Sequence, residues 1–125
     1  QLKKLDDLQA YRKKIWEIYQ SEFGGIDEIK TPKDAPNGDK HSYFTYFIRI
    51  DNRDSVAKYL FENGIYTTLR YHPLHMNPLY KSKAVLKNCE ELNETGLNIP
   101  LHPSLTMDDV DKVVTYVKKA IKEAK

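Results

Sequence analysis

Between residues 2 and 23, Leu5, Leu8, Tyr11, Ile15, Ile18 and Phe23 recur mostly at three- and four-residue steps. Lys3, Asp7, Lys13, Lys14 and Glu17 fill much of the rest. That spacing gathers the apolar side chains on one face of a helix. Gly24 and Gly25 stop it, because glycine accepts the left-handed backbone in which helices often end. A helix with one apolar face needs a surface to lie on, and this domain is the expected one. Residues 30–40 are polar, with two prolines and Asn37-Gly38, and predict a surface loop. Too little chain precedes them for that loop to be a linker between domains. Tyr43 to Ile50 is the clearest strand, rich in aromatic and β-branched residues. Phe44, Tyr46, Ile48 and Ile50 share one face by the period of two, and Tyr43, Thr45, Phe47 and Arg49 share the other.

A helix over about 53–63 follows, with Val56, Tyr59 and Leu60 inside and Asn63-Gly64 as its stop. Ile65 to Tyr71 predicts a second strand, and Pro73 and Pro78 make 72–80 irregular. A third helix is expected near 83–94, although Asn88 and Asn93 are poor helix formers. Leu97 to Pro100 predicts a short strand. In the last helix Thr106 and Asp109 have the spacing of a capping box. Val110, Val113, Val114, Val117 and Ile121 then line one face, and a basic last turn suits the helix dipole. The predicted fold class is α+β: a small sheet of about three strands flanked by helices.

Composition narrows the function. At 125 residues the chain is one domain, 1–125, long enough to bury a core without staples. Its 20 Lys plus Arg against 18 Asp plus Glu give a charge of +2, which offers no electrostatic reason to expect nucleic acid or an anionic membrane. Hydrophobic residues at 40% and charged residues at 30% suit a soluble globular domain. The single cysteine, Cys89, excludes an internal disulfide and fits a reducing compartment. No apolar run approaches the roughly 20 residues of a membrane span, and no signal-peptide pattern opens the chain. The sequence begins without Met inside a helical pattern and reads as a piece of something longer.

Reactive side chains are densest at Arg70-Tyr71-His72-Pro73-Leu74-His75, where the second predicted strand enters a loop. A loop held at a strand end keeps its side chains accessible while the scaffold fixes them. Two imidazoles, a phenol and a guanidinium there suit a phosphate or a sugar hydroxyl; the alternative is a solvated loop whose histidines cap nearby backbone. A metal set would need His72, His75, Cys89 and His102, but Pro73 prevents a regular helix face and no tight carboxylate completes it, so no metal is expected. His41 and Tyr43 open the first predicted strand, as site residues or as a rim histidine and a packed tyrosine. Cys89 is expected to be a small buried apolar group, and Trp16 and Met76 packing groups. No Gly-rich phosphate loop, G-x-S-x-G or H-E-x-x-H is present. No lysine has visible desolvating neighbours that would suit it to Schiff-base chemistry.

Several segments recur in order in one family. They are Gln1 to Leu5 with Tyr11-Arg12, the strand His41 to Ile50, Arg53-Asp54, and Asn63-Gly64-Ile65-Tyr66-Thr67-Thr68. Tyr71 with Pro73-Leu74-His75, Pro78-Leu79-Tyr80 and the run Asn98 to Thr106 complete the set. Over essentially its whole length the chain resembles the C-terminal domain of the DegT/DnrJ/StrS sugar aminotransferases. These are pyridoxal 5'-phosphate (PLP) enzymes of fold type I. The resemblance implies a nucleotide-linked keto-sugar substrate, an amino donor that is usually glutamate, a cytoplasmic setting and a homodimer with shared active sites. It also implies a large N-terminal domain carrying the lysine that binds PLP covalently, the carboxylate facing the pyridine nitrogen and most phosphate contacts. None of those motifs is in this chain, so the fragment alone is expected to be inactive and to bind no PLP.

By position, Tyr71 and His75 match the family's tyrosine and histidine in the loop facing cofactor and sugar nucleotide. His41 and Tyr43 match the start of its aromatic strand. The family often has a proline directly after that tyrosine and one more residue before the Leu-His pair. Here His72 follows Tyr71, the loop is shorter, and His72 is positioned to replace a missing contact. A histidine often found in the aromatic strand is Phe44 in this chain. The competing readings are a free-standing ferredoxin-like module binding RNA through stacked bases and a purely structural dimerisation domain.

Overall fold

Tyr46, Ile48 and Ile50 alternate along the chain and are all buried, so the period-two pattern places the core correctly. In the computed structural model, which describes residues 2–124, Tyr46 and Ile48 belong to a two-stranded antiparallel sheet with helices packed against it, and Ile50 follows its first strand. In chain order the elements are α1 (Leu5–Phe23), β1 (Tyr46–Arg49), α2 (Arg53–Glu62), α3 (Lys87–Thr95), β2 (Gly96–Ile99) and α4 (Met107–Glu123). Single 3-10 turns lie at Leu2–Lys4, Leu74–Met76 and Pro78–Tyr80. β1 and β2 pair with Tyr46 opposite Ile99 and Ile48 opposite Leu97.

The α+β class holds, but the sheet has two strands among the described residues, and two predicted segments fall short. Residues 65–71 touch the sheet at Thr68, which exchanges backbone hydrogen bonds with Asn98 at 3.0 and 3.1 Å. β2 ends at Ile99, and the next residue, Pro100, has no N–H with which to extend that pairing. The first predicted strand starts three residues late because Tyr43 adopts a left-handed φ of 46° and its N–H turns back to His41 Nδ1 at 2.8 Å. His41 and Tyr43 therefore precede the strand, and Phe44, which the period of two places on the face of Tyr46 and Ile48, is exposed. A sheet this narrow is no four-stranded stacking platform of the kind an RNA-binding ferredoxin-like module presents.

Helix termini follow the sequence in part. Thr106 and Asp109 form the predicted capping box of α4, whose buried face is the predicted valine stripe with Ala120 and Ile121. α2 stops at Asn63, and Gly64 takes a φ of 73°. Gly24 ends α1 in a right-handed conformation, with φ −64° and ψ −12°, its N–H bonded to Gln20 O; it is not a left-handed stop. α3 is shorter than predicted at its start, because Lys81 turns left-handed and 82–86 run without helix.

α1 packs on this domain through Ile15, Trp16, Tyr19 and Phe23, all buried. Trp16 thus packs as expected, with its ring centroid 5.4 Å from that of Tyr43 and 5.9 Å from that of Tyr46. Two hydroxyls tie α1 to the chain after β2: Tyr19 Oη donates to Pro100 O at 2.8 Å and Tyr11 Oη to Leu105 O at 2.6 Å. The first turns of the helix are not covered, since Leu5 and Leu8 are exposed.

Candidate functional site

The 70–75 segment leaves the sheet directly after the Thr68 pairing and is shaped by its own backbone. Pro73, buried with a φ of −59°, starts the Leu74–Met76 turn, and its carbonyl accepts the Met76 N–H at 2.9 Å. Asn77 then starts the next turn, its side-chain oxygen accepting the Leu79 N–H at 3.0 Å. Consecutive local hydrogen bonds of this kind give a loop a defined course without strand pairing.

Within that course His75 is set apart. Its side chain is only 9% exposed, and Nε2 lies 2.8 Å from Glu90 Oε1 on the first turns of α3. The same carboxylate oxygen accepts the Leu86 N–H at 2.9 Å, at the helix start where backbone donors lack partners. The hydrogen bond from His75, and after it the one from Leu86, hold the Glu90 carboxyl below its usual range. His75 therefore bonds a side chain, not the nearby backbone.

The neighbouring candidates are arranged differently. Tyr71 is 80% exposed, with the Arg70 guanidinium 5.9 Å from its ring centroid, and His72 is exposed. The His41 and Tyr43 rings pack at 4.7 Å between centroids, tilted 37° to each other, and lie against Trp16. Tyr43 Oη also donates to Asp34 Oδ1 at 3.3 Å. Among the described residues no hydrogen bond or ring contact joins His41 or Tyr43 to Tyr71, His72 or His75. The five candidates thus fall into two groups.

Two expectations are corrected. Cys89 is exposed, because α3 rests on the sheet without burying any residue of its own. Met76 is exposed too, as the last residue of a surface turn. Among the described residues no three His, Cys, Asp or Glu side chains converge as a metal set. No helix of the described residues is long and apolar enough to cross a membrane.

Sequence reasoning missed two features. One is Glu90, fifteen residues from His75, whose role depends on a tertiary contact that no periodicity reports. The other is a groove of about 530 Å³ that meets the loop at Arg70 and runs past Thr68, Asn98 and His102 to Arg12 and Lys112. Its cations lie apart in the sequence, so no run of charge marked them. The groove tests whether this chain could hold PLP unaided. That cofactor needs a carboxylate facing its pyridine nitrogen, and the carboxylate lining the groove, Asp109, already accepts two hydrogen bonds from Thr106 through Oδ2. Among the described residues the groove holds no second carboxylate for that role.

Comparison with known proteins gives a consistent result. A sequence model described as the DegT/DnrJ/EryC1/StrS aminotransferase family matches residues 1–118. The dTDP-4-dehydro-2,3,6-trideoxy-D-glucose 4-aminotransferase of Saccharopolyspora spinosa is 33% identical over 97% of this chain and 32% of its own length. The spore coat polysaccharide biosynthesis protein SpsC of Bacillus subtilis is 30% identical over 99% of this chain and 35% of its own. Among solved structures, the aminotransferase TlmJ from Streptoalloteichus hindustanus superposes with a TM-score of 0.95 at 32% identity, covering 99% of this chain and 34% of that one. The chain spans about a third of the length of the relatives it matches.

Proposed function

Because the chain belongs to the DegT/DnrJ/EryC1/StrS aminotransferase family, we propose that it is the C-terminal small domain of a sugar aminotransferase. In this reading the full protein transfers an amino group, from glutamate, to a nucleotide-linked keto-sugar. It works in the cytoplasm as a homodimer, and its sugar product feeds polysaccharide or related glycan synthesis. PLP is held by a large N-terminal domain, and the cofactor supplies the amino-transfer chemistry when bound there. This chain's residues bind and orient the sugar nucleotide: His75 and Tyr71 at its edge, His72 beside them, with His41 and Tyr43 supporting the neighbouring wall. The fragment alone, lacking the lysine motif, is inactive.

The observation that carries the reading is the family match over residues 1–118 together with the 0.95 superposition. The loop supports the role given to it. Its course is fixed from within by Pro73 and Asn77, while Tyr71 and His72 are left outside for a ligand. The test is His75→Ala in the full-length enzyme. Turnover of the sugar nucleotide should fall far more than the retention of PLP, followed by its absorbance. Equal turnover in variant and parent removes His75 from the site.

A further inference from the structure

A histidine that binds a ligand through one ring nitrogen needs the other held, or the ring turns and the proton changes place. His75 meets that requirement. Nε2 is engaged by Glu90 Oε1 at 2.8 Å, while Nδ1 has no hydrogen-bond partner among the described residues. A carboxylate only accepts, so Nε2 must be the nitrogen that carries the proton. In the neutral ring Nδ1 then has a free lone pair. Glu90 is itself fixed, since the same oxygen accepts the Leu86 N–H at 2.9 Å where α3 begins.

We propose that Glu90 is a positioning residue for the sugar-nucleotide site: it locks His75 in the Nε2-protonated form and so presents Nδ1 as a hydrogen-bond acceptor for a substrate hydroxyl. The proposal rests on the reading that His75 contacts substrate. It adds the polarity of that contact and a residue that no motif assigned. A substrate group able only to accept, such as a carbonyl or phosphate oxygen, is disfavoured opposite Nδ1, because a lone pair would face a lone pair. Selectivity for a hydroxyl over a hydrogen or an ether at that position follows, since the analogue leaves Nδ1 unpaired.

Glu90→Lys tests the idea, because an ammonium only donates, whereas a Gln oxygen held by the Leu86 N–H would still accept from Nε2. Donation to Nε2 drives the proton to Nδ1 and reverses what the ring offers. The full-length enzyme, loaded with PLP and labelled with 15N-histidine, gives the tautomer directly by NMR, with the His75 signals identified by their loss in His75→Ala. The parent should show Nε2 protonated and Nδ1 bare in its neutral ring, and Glu90→Lys the reverse. In kinetics Glu90→Lys should raise KM for the sugar nucleotide about tenfold with kcat changed less than twofold. Adding it to His75→Ala should cost nothing further, as expected for two residues acting through one contact.

Each failure points to a different step. Normal turnover by His75→Ala defeats the substrate contact, and this proposal with it. Impaired His75→Ala beside a Glu90→Lys of parental KM and unchanged tautomer defeats the positioning role alone. A Glu90→Lys that loses kcat and thermal stability together, without a tautomer change, makes Glu90 a structural residue and overturns the proposal. Should Glu90→Lys not fold, a parent with its proton on Nδ1 overturns it as well.

Discussion

Gly96 is where α3 passes into β2 without an intervening loop, and a single methyl group there should be costly. A Cβ on Gly96 would stand 2.5 Å from the Leu92 carbonyl oxygen and would run into the far end of the Phe47 ring. The backbone is not the obstacle, since φ −81° and ψ 135° are open to any residue. Alanine at such a site ordinarily stabilises by about 0.4–1 kcal/mol through the unfolded chain. Against this stands an overpacking cost of about 1–3 kcal/mol, with little room to yield. Leu92 offers backbone, and Phe47 sits on β1 opposite Asn98. The Gly96 carbonyl is also held, by Arg53 Nη1 at 3.0 Å. The net expectation for Gly96→Ala is a loss of about 1–2 kcal/mol. For a chain of this size that lowers Tm by about 4–8 °C. Urea and thermal unfolding of the 125-residue chain followed by circular dichroism give both numbers. Phe47→Leu shortens the clashing ring, so the double variant should be more stable than the summed single effects by about 1 kcal/mol. A Gly96→Ala chain as stable as its parent would refute the steric argument, and zero coupling to Phe47 would move the clash onto the Leu92 carbonyl.

Two further predictions concern pH and capping. Burial pushes the Tyr19 and Tyr46 phenols far above their ordinary value of 10, Tyr46 nearby adding to the effect at Tyr19. A folded value above the unfolded one means that their contribution is complete below pH 10 and is lost as pH rises beyond it. In a titration followed at tyrosinate absorbance, two of the nine tyrosines should therefore ionise only with unfolding; complete ionisation in a chain that keeps its helical signal would contradict this. At the start of α4, Thr106→Ala should cost about 1 kcal/mol by removing the hydroxyl of the capping box. Hydrogen bonds from the Thr106 hydroxyl and N–H hold the Asp109 carboxyl below its usual 3.8, so the cap is intact above that pH and is lost as pH falls through the folded value. Urea midpoints of parent and Thr106→Ala should draw closer as pH falls below 3.8, and a difference that stays constant there would argue against the carboxylate's part in the box.

What the sequence revealed and what it hid divide along physical lines. The capping box and valine face of α4 depend on residues three and four apart, and both were legible. So was the buried alternation of Tyr46, Ile48 and Ile50. The failed strand at 65–71 had suitable residues but lacked a partner, because β2 is four residues long and is followed by Pro100. Strand propensity describes a fit to a neighbour, and no sequence window contains that neighbour. The late start of β1 turned on one backbone angle at Tyr43, an aromatic residue for which a positive φ is not the ordinary choice. The loop at 70–75 was found from its chemistry. Its division into an anchored His75 and outward Tyr71 and His72 was not, since it depends on Glu90 arriving from another element.

The corrections at Leu5, Leu8, Phe44 and Met76 have one cause. An apolar pattern reports that a side chain is to be covered; it does not report by what. Periodicity gave Leu5, Leu8 and Phe44 a face to be covered and Met76 was expected to pack, yet each is exposed, together with Tyr71, Leu74, Leu79, Tyr80 and Val85. Six of these, from Tyr71 to Val85, fall within fifteen residues of chain, and exposed apolar side chains so concentrated mark an interaction surface. The chain spans about a third of the length of its relatives. On the reading proposed above, the cover belongs to the remaining two thirds and to the second subunit. The same residues that mislead a fold prediction then become informative about function. The loop carrying Tyr71 and His75 lies within the surface that a larger partner would close, where water is excluded and a hydrogen bond from a sugar hydroxyl to an imidazole counts for most.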